Sequence, residues 1–339
     1  ATLELTTIDL GNRLGLYASL RDGGAATPGE LAARTGIHER YAREWLEQQA
    51  VAGILDVDEP GREPEARSYT LPQGHDAVLL DAESPAFMAA VAGFPSFAGK
   101  VTGSLERAFR DGTGVPYADY EVHDLQAGMT RPLFVNAFAA EWVPQIPGLG
   151  ARLEADPSAR VLDVGCGEGW SSIALASAYP KIAVTGIDLD DASIAAARRN
   201  AADAGVSDRV IFEVRDAADP GLDGDYDAAF CFEMIHDLSD PVGVLRAVRA
   251  LVGESGIVVV GDERCAEEFT APGDDLERFF YAASVVHCLP VGMAEQPSAG
   301  TGTVMRPSTL DRYAREAGFA GAEVLPIEND FWRFYRLTV

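Results

Sequence analysis

Five short runs rich in apolar and β-branched residues fill the second half of this 339-residue chain, at 160–164, 182–187, 210–214, 228–232 and 257–260. Helical stretches at 193–204 and 241–251 lie between them, and two further strand-like runs follow at 323–327 and 333–339. Runs that are apolar on both faces and alternate with helices predict parallel strands covered by helices on each side, an α/β sheet. The first run passes into Val161-Leu162-Asp163-Val164-Gly165-Cys166-Gly167-Glu168-Gly169-Trp170. A glycine-rich turn between a strand and a helix lets the backbone approach a ligand where a Cβ would collide. Taken alone, this motif also admits a dinucleotide site, although the Gly-x-Gly-x-Gly spacing differs from the usual fingerprint.

The acidic residues decide between the two. Asp188 ends the second run, where a carboxylate can accept both hydroxyls of a ribose, and Asp216 follows the third, within reach of an adenine amino group. Asp163 precedes the first glycine. Acids at the ends of three successive strands resemble the class I S-adenosylmethionine-dependent methyltransferases over residues 159–339. The resemblance implies a Rossmann-like sheet of seven strands, the last antiparallel. It implies S-adenosylmethionine as cofactor, bound by Asp163, Gly165, Gly167, Gly169, Asp188, Leu189, Asp216, Ala217 and Phe232.

Residues 1–80 read as helices followed by a short hairpin. Residues 3–20 carry apolar positions at helical spacing, interrupted by Gly11 and Gly15. Thr27-Pro28 opens a second helix with Glu30 in its first turn, and Gly36 closes it. A third helix over 37–52 precedes strand-like runs at 54–57 and 68–71, a winged-helix pattern. The third helix alternates Glu and Arg where a DNA reader presents a basic face. With a formal net charge of -26, nucleic acid is excluded as a partner, since phosphate binding needs clustered Lys and Arg. This domain is expected to mediate homodimerisation. Residues 81–150 form a helical connector with Gly/Pro interruptions, and 151–339 the catalytic domain.

The four cysteines, Cys166, Cys231, Cys265 and Cys288, lack the spacing of a zinc site or a disulfide scaffold. No apolar run reaches the ~20 residues of a membrane helix, and the N-terminus lacks a basic leader. A cytoplasmic protein without membrane partners is expected.

The fourth strand leads into Phe232-Glu233-Met234-Ile235-His236-Asp237. Strand C-termini face the ligand crevice in such sheets, so His236 and Asp237 are expected beside the transferable methyl. Alone, His236 suits a general base, with an ordinary pKa of ~6.5, and Asp237 suits a helix N-cap. His287 lies in an apolar stretch after the fifth strand, one of five histidines in the chain. It reads either as a core histidine or, with His236 and Asp237, as the third member of a two-His, one-Asp set. The winged-helix start, Gly112-Thr113-Gly114-Val115-Pro116-Tyr117, Ile235-His236-Asp237 and His287-Cys288-Leu289-Pro290 resemble the winged-helix methyltransferases typified by a mycobacterial member. Within that family they are most similar to the iron-dependent α-keto-acid C-methyltransferases of nonribosomal-peptide pathways.

That likeness implies iron held by His236, Asp237 and His287, an α-keto acid substrate methylated at C3, and a homodimer. Arg110 and Arg131 are candidates for pairing with the substrate carboxylate, and equally for ordinary surface residues; Phe94, Phe97, Trp142 and Met234 are candidates for an apolar pocket or for core. The alternative is a metal-free small-molecule O-methyltransferase with His236 as base. A cofactor-sensing regulator lacks the basic helix it would need, and a pericyclase would leave the cofactor unconsumed.

Overall fold

A computed structural model describes residues 2–219 and 224–339. The chain divides into two compact units, residues 1–99 with 124–136, and residues 100–123 with 137–339. The stretch 81–150, expected as a separate connector, is therefore shared between both units.

In the first unit, helices Thr2–Arg13, Leu16–Gly23, Pro28–Thr35 and Glu39–Val51 precede strands β1 (Asp56–Asp58) and β2 (Ser68–Thr70). The strands pair antiparallel with Val57 opposite Tyr69. Thr27 and Glu30 form a capping box, and Gly36 closes that helix with φ 74°. Gly15 separates the first two helices in a left-handed turn, as expected. Gly11 does not break the first helix: a Cβ there would stand 2.5 Å from Trp45 Cζ2, so this glycine lets the indole pack close. Leu16, Tyr17, Leu20, Leu31, Leu46 and Tyr69 are buried together, giving a winged-helix domain with its own core.

The second unit holds β3 (Arg160–Val164), β4 (Ala183–Asp188), β5 (Val210–Val214), β6 (Ala228–Phe232), β7 (Ile257–Glu263), β8 (Gly321–Val324) and β9 (Trp332–Thr338). Their spatial order is β5-β4-β3-β6-β7-β9-β8, with only β9 antiparallel to its neighbours. Every residue of β6 and β7 is buried, the result of helices covering both faces. The chain runs outward from β3 to β5 and then returns to β6 on the other side of β3. This reversal opens a crevice at the carboxyl ends of the strands. Register aligns those ends, with Asp188 opposite Val214, Val164 opposite Cys231 and Phe232 opposite Gly261. None of the helices is long and apolar enough to cross a membrane, among the described residues.

Candidate active site

The glycine turn leaves β3 in the left-handed region, with φ of 68°, 51° and 82° at Gly165, Gly167 and Gly169. Any other residue type would be strained at these angles. The three glycines differ in surroundings. A Cβ at Gly165 would meet Met234 Cγ at 2.9 Å, and one at Gly169 would meet Phe212 Cζ at 2.4 Å. At Gly167 a Cβ would meet nothing within 4 Å, so backbone there borders open space.

Asp188 at the end of β4 ties this turn down. Its Oδ2 accepts the Gly167 N–H at 2.8 Å and its Oδ1 the Asp190 N–H at 3.0 Å. Burial pushes its pKa up, and the two N–H donors oppose that rise. Asp163 accepts the hydroxyls of Ser171 and Ser172 at 2.5 and 2.6 Å, and burial pushes its pKa up to about 6. Asp163 thus fastens the strand to the helix that follows. Asp216 is exposed beyond β5, its Oδ1 accepting the Ala218 N–H at 2.8 Å. Leu189, which follows Asp188, is exposed, whereas Ala217 and Phe232 are buried. An open glycine backbone flanked by carboxylates at successive strand ends fits S-adenosylmethionine, a ligand with ribose hydroxyls, an amino group and a positive sulfonium.

Beyond β6 the chain turns sharply, with Glu233 at φ 54°, into a short helical turn over Ile235–Asp237. Asp237 is not the helix cap expected of it alone. Asp240 caps the helix Pro241–Val252 by accepting the Gly243 N–H at 2.8 Å.

His236 is 2% exposed. Its Nδ1 lies 2.9 Å from Asp262 Oδ1 and 3.1 Å from Glu263 Oε2, and its Nε2 lies 3.4 Å from Asp237 Oδ1. Burial disfavours charge on this imidazole, yet the surrounding carboxyls outweigh it and hold the pKa well above the ordinary value. Glu233 and Glu263 are pushed up by burial first and then by neighbouring carboxyls, Glu233 to about 8. Sequence reasoning missed Glu233, Asp262 and Glu263. The signal available was the acidic pair directly after an apolar run, on a strand that continues three residues past Val260.

His287 is buried in the helical stretch that follows Asp275–Ala283, with Nδ1 3.5 Å from Cys288 Sγ. Burial lowers its pKa, opposed by Asp237. Its ring centroid lies 4.6 Å from that of Tyr120 and 6.0 Å from that of Tyr117. Among the described residues, two groups bring three donor atoms within 4.8 Å of one another: His236 with Asp237 and Cys288, and His236 with Asp262 and Glu263. The expected set of His236, Asp237 and His287 is not one of them. Cys288, the residue after His287, brings its sulfur to the His236–Asp237 pair, and the charges of Asp237 and His236 act on His287 as well.

Arg110 lies on the surface. Its side chain is 76% exposed near the end of helix Phe94–Asp111 and pairs with Glu106 at 3.6 Å, so it faces solvent. Arg131 belongs to the first unit, where it meets Glu83 at 2.6 Å. Trp142 packs into an aromatic core with Phe138, Phe232, Trp332 and Phe334. Phe94 and Phe97 contact one another in the first unit, at 5.4 Å between centroids.

Residues 155–296 match a family described as methyltransferase domain, and residues 1–81 match the Rv2258c-like winged HTH domain. The ubiquinone biosynthesis O-methyltransferase of Bordetella avium (strain 197N) is 32% identical over 213 residues, covering 61% of this chain and 80% of that protein. A solved structure of PigF with SAH superposes with a TM-score of 0.76 at 22% identity, covering 99% of this chain and 96% of PigF. NcsB1, an O-methyltransferase from neocarzinostatin biosynthesis solved with S-adenosylmethionine and 2-hydroxy-5-methyl naphthoic acid, superposes with a TM-score of 0.63 at 19% identity, covering 99% of this chain and 96% of NcsB1. The two structural likenesses speak to fold alone. Together with the crevice geometry, the domain matches and the Bordetella relative make this chain a member of the class I S-adenosylmethionine-dependent methyltransferases, with an N-terminal winged-helix domain.

Proposed function

We propose that the chain methylates a hydroxyl oxygen on a small natural-product scaffold, with His236 as general base. The observation that carries this reading is the Asp262–His236 contact, 2.9 Å at Nδ1, which leaves Nε2 turned towards Asp237. S-adenosylmethionine supplies an electrophilic methyl. His236 Nε2 takes the substrate's hydroxyl proton as the oxygen acquires the methyl, and Asp262 favours the tautomer that keeps Nε2 free to accept. The imidazolium so formed lies among Asp262, Glu263 and Asp237, whose charges favour it. The names of the Bordetella relative and of NcsB1 point the same way.

A second reading is favoured by Asp237. Among the described residues its buried Oδ1 accepts no hydrogen bond, and it stands with His236 and Cys288 in one compact donor group. His236 and Asp237 would hold iron, with His287 as the third ligand that the family resemblance implies, and the metal would supply Lewis-acid chemistry for C-methylation of an α-keto acid at C3.

One experiment separates them. The purified chain is analysed for iron, and methyl transfer to hydroxylated aromatic acids and to phenylpyruvate-like and branched α-keto acids is measured before and after chelation. O-Methylation that survives chelator in an iron-free preparation and is lost in His236→Ala supports the first reading. Stoichiometric iron, lost in His236→Ala and His287→Ala, with C-methylated α-keto acid as product, overturns it in favour of the second. A homodimer is part of the same proposal, and a light-scattering mass near 36.1 kDa would remove it.

A further inference from the structure

The segment from Gly112 to His123 crosses from the helix bearing His287 to the cofactor turn, fastened at both ends within the second unit. At one end, Val115 N–H donates to Pro290 O at 2.9 Å, and Tyr120 Oη donates to Val286 O at 2.9 Å. Gly114 is seated against backbone there: a Cβ would stand 2.1 Å from Ala294 N and 2.2 Å from Pro290 O. At the other end, His123 Nε2 lies 3.0 Å from Asp190 Oδ2, two residues beyond Asp188. Between these fastenings stands Tyr117, edge-to-face with His123 at 5.3 Å and with His287 at 6.0 Å.

The position is unusual in its electrostatics. The charges of Asp188, Asp190 and Glu168 on the cofactor side and of Asp237 on the chemistry side all act on the Tyr117 hydroxyl. Burial and these charges push its phenol far up, so it stays neutral. An aromatic ring set among carboxylates, at the junction of cofactor turn and chemistry helix, suits a cation, because ring quadrupole and Coulomb attraction add. S-adenosylmethionine carries one cationic centre at the reacting end, its sulfonium. The product S-adenosylhomocysteine lacks that charge.

We propose that Tyr117 is a positioning residue that holds the sulfonium through its ring, orienting the donor methyl towards His236 and distinguishing charged cofactor from neutral product. The His123–Asp190 contact and the Gly114 seat keep the ring in place. Loss of the positive charge on transfer removes the attraction, which favours product release. The inference depends on the methyltransferase assignment and stands under either substrate reading.

The test is calorimetric titration of S-adenosylmethionine and S-adenosylhomocysteine into wild type, Tyr117→Phe and Tyr117→Leu. Tyr117→Phe keeps the ratio of the two Kd values within about twofold, since the ring remains. Tyr117→Leu weakens S-adenosylmethionine about tenfold and S-adenosylhomocysteine less than about twofold. Equal weakening of both ligands, or no change in either, overturns the proposal, because a merely structural side chain does not read the sulfonium charge. Should Tyr117→Leu fail to fold, pentafluorophenylalanine at position 117 keeps the shape and reverses the ring quadrupole. Selective loss of S-adenosylmethionine affinity then supports the proposal, and an unchanged Kd ratio overturns it.

Discussion

His236 Nδ1 and Asp262 Oδ1 lie 2.9 Å apart where neither side chain reaches solvent. One residue comes from the turn after β6 and the other from the end of β7, so the register of two parallel strands sets the contact. Asp262 Oδ1 also accepts the Glu263 N–H at 3.0 Å, which fixes the carboxylate before the imidazole meets it. A carboxylate at Nδ1 orients the ring and favours the tautomer with Nε2 unprotonated.

Removing that carboxylate is expected to lower kcat more than cofactor affinity. Glu263 Oε2 stands 3.1 Å from the same nitrogen, so Asp262→Ala keeps part of the rate. The pair Asp262→Ala with Glu263→Gln should fall to the level of His236→Ala, about 10²- to 10⁴-fold below wild type. Steady-state kinetics read this, with calorimetric cofactor binding as the control. A double variant near wild-type kcat would show that His236 needs no orienting carboxylate.

The pH dependence follows from the same cluster. A base works only when deprotonated, and His236 has its pKa held above the ordinary value of 6.5 by Asp262, Glu263 and Asp237 against the opposing effect of burial. Under the O-methylation reading, kcat rises with pH to a plateau whose midpoint lies above 6.5, and Asp262→Ala shifts that midpoint down. Stability runs the other way. The contribution of protonated His236 is full below pH 6.5 and is lost as pH rises through its raised folded value.

Glu233, whose pKa is pushed up first by burial, adds to the alkaline loss. Its contribution is full below the ordinary glutamate value of 4.5 and declines as pH rises through its raised folded value. Glu233→Gln is therefore expected to flatten the alkaline fall in Tm. Thermal melts of the two proteins between pH 6 and 9 that fall in parallel would count against a buried proton on Glu233.

Legibility in the sequence tracked the physics of each element. β3, β5 and β6 are short apolar runs bounded by turn residues, and their limits agree with the pattern. β7 reads as ending at Val260 because Gly261-Asp262-Glu263 is polar. In the structure those residues stay in the ladder and remain buried, because Asp262 and Glu263 face His236. A buried polar pair looks like a loop to any argument based on hydropathy, so the residues that contact His236 are the least visible in the sequence. The resemblance implies Asp163 as a cofactor-binding residue; its hydrogen bonds in the structure run to Ser171 and Ser172. The contacts of Cys288 and Tyr117 depend on where a helix and a crossing segment meet in space, which spacing does not encode.

Gly114→Ala tests how firmly the crossing segment is seated. The added methyl would stand 2.1–2.4 Å from Ala294 N, Pro290 O and Met293 C, all backbone atoms that have no rotamer to change. Overpacking of this kind costs about 1–3 kcal/mol. The expected result is a lower Tm together with weaker S-adenosylmethionine binding, since Tyr117 lies three residues on. A melt and titration indistinguishable from wild type would mean that the segment lifts off this face freely.

Asp188 offers the sharpest test of the cofactor turn. Its two oxygens accept two backbone donors, Gly167 N–H and Asp190 N–H. Asp188→Asn keeps the shape but sets an amide N–H₂ against one of those N–H groups, leaving a buried donor without an acceptor. Such a group costs about 1–3 kcal/mol, and the carboxylate charge expected to meet the ribose is lost with it. S-adenosylmethionine Kd is expected to rise about ten- to a hundredfold. Because S-adenosylhomocysteine shares the ribose, its Kd should rise by the same factor, in contrast to Tyr117→Leu. If Asp188→Asn weakened the charged ligand alone, Asp188 would be acting on the sulfonium and not on the nucleoside, and the division of labour between these two residues would have to be reversed.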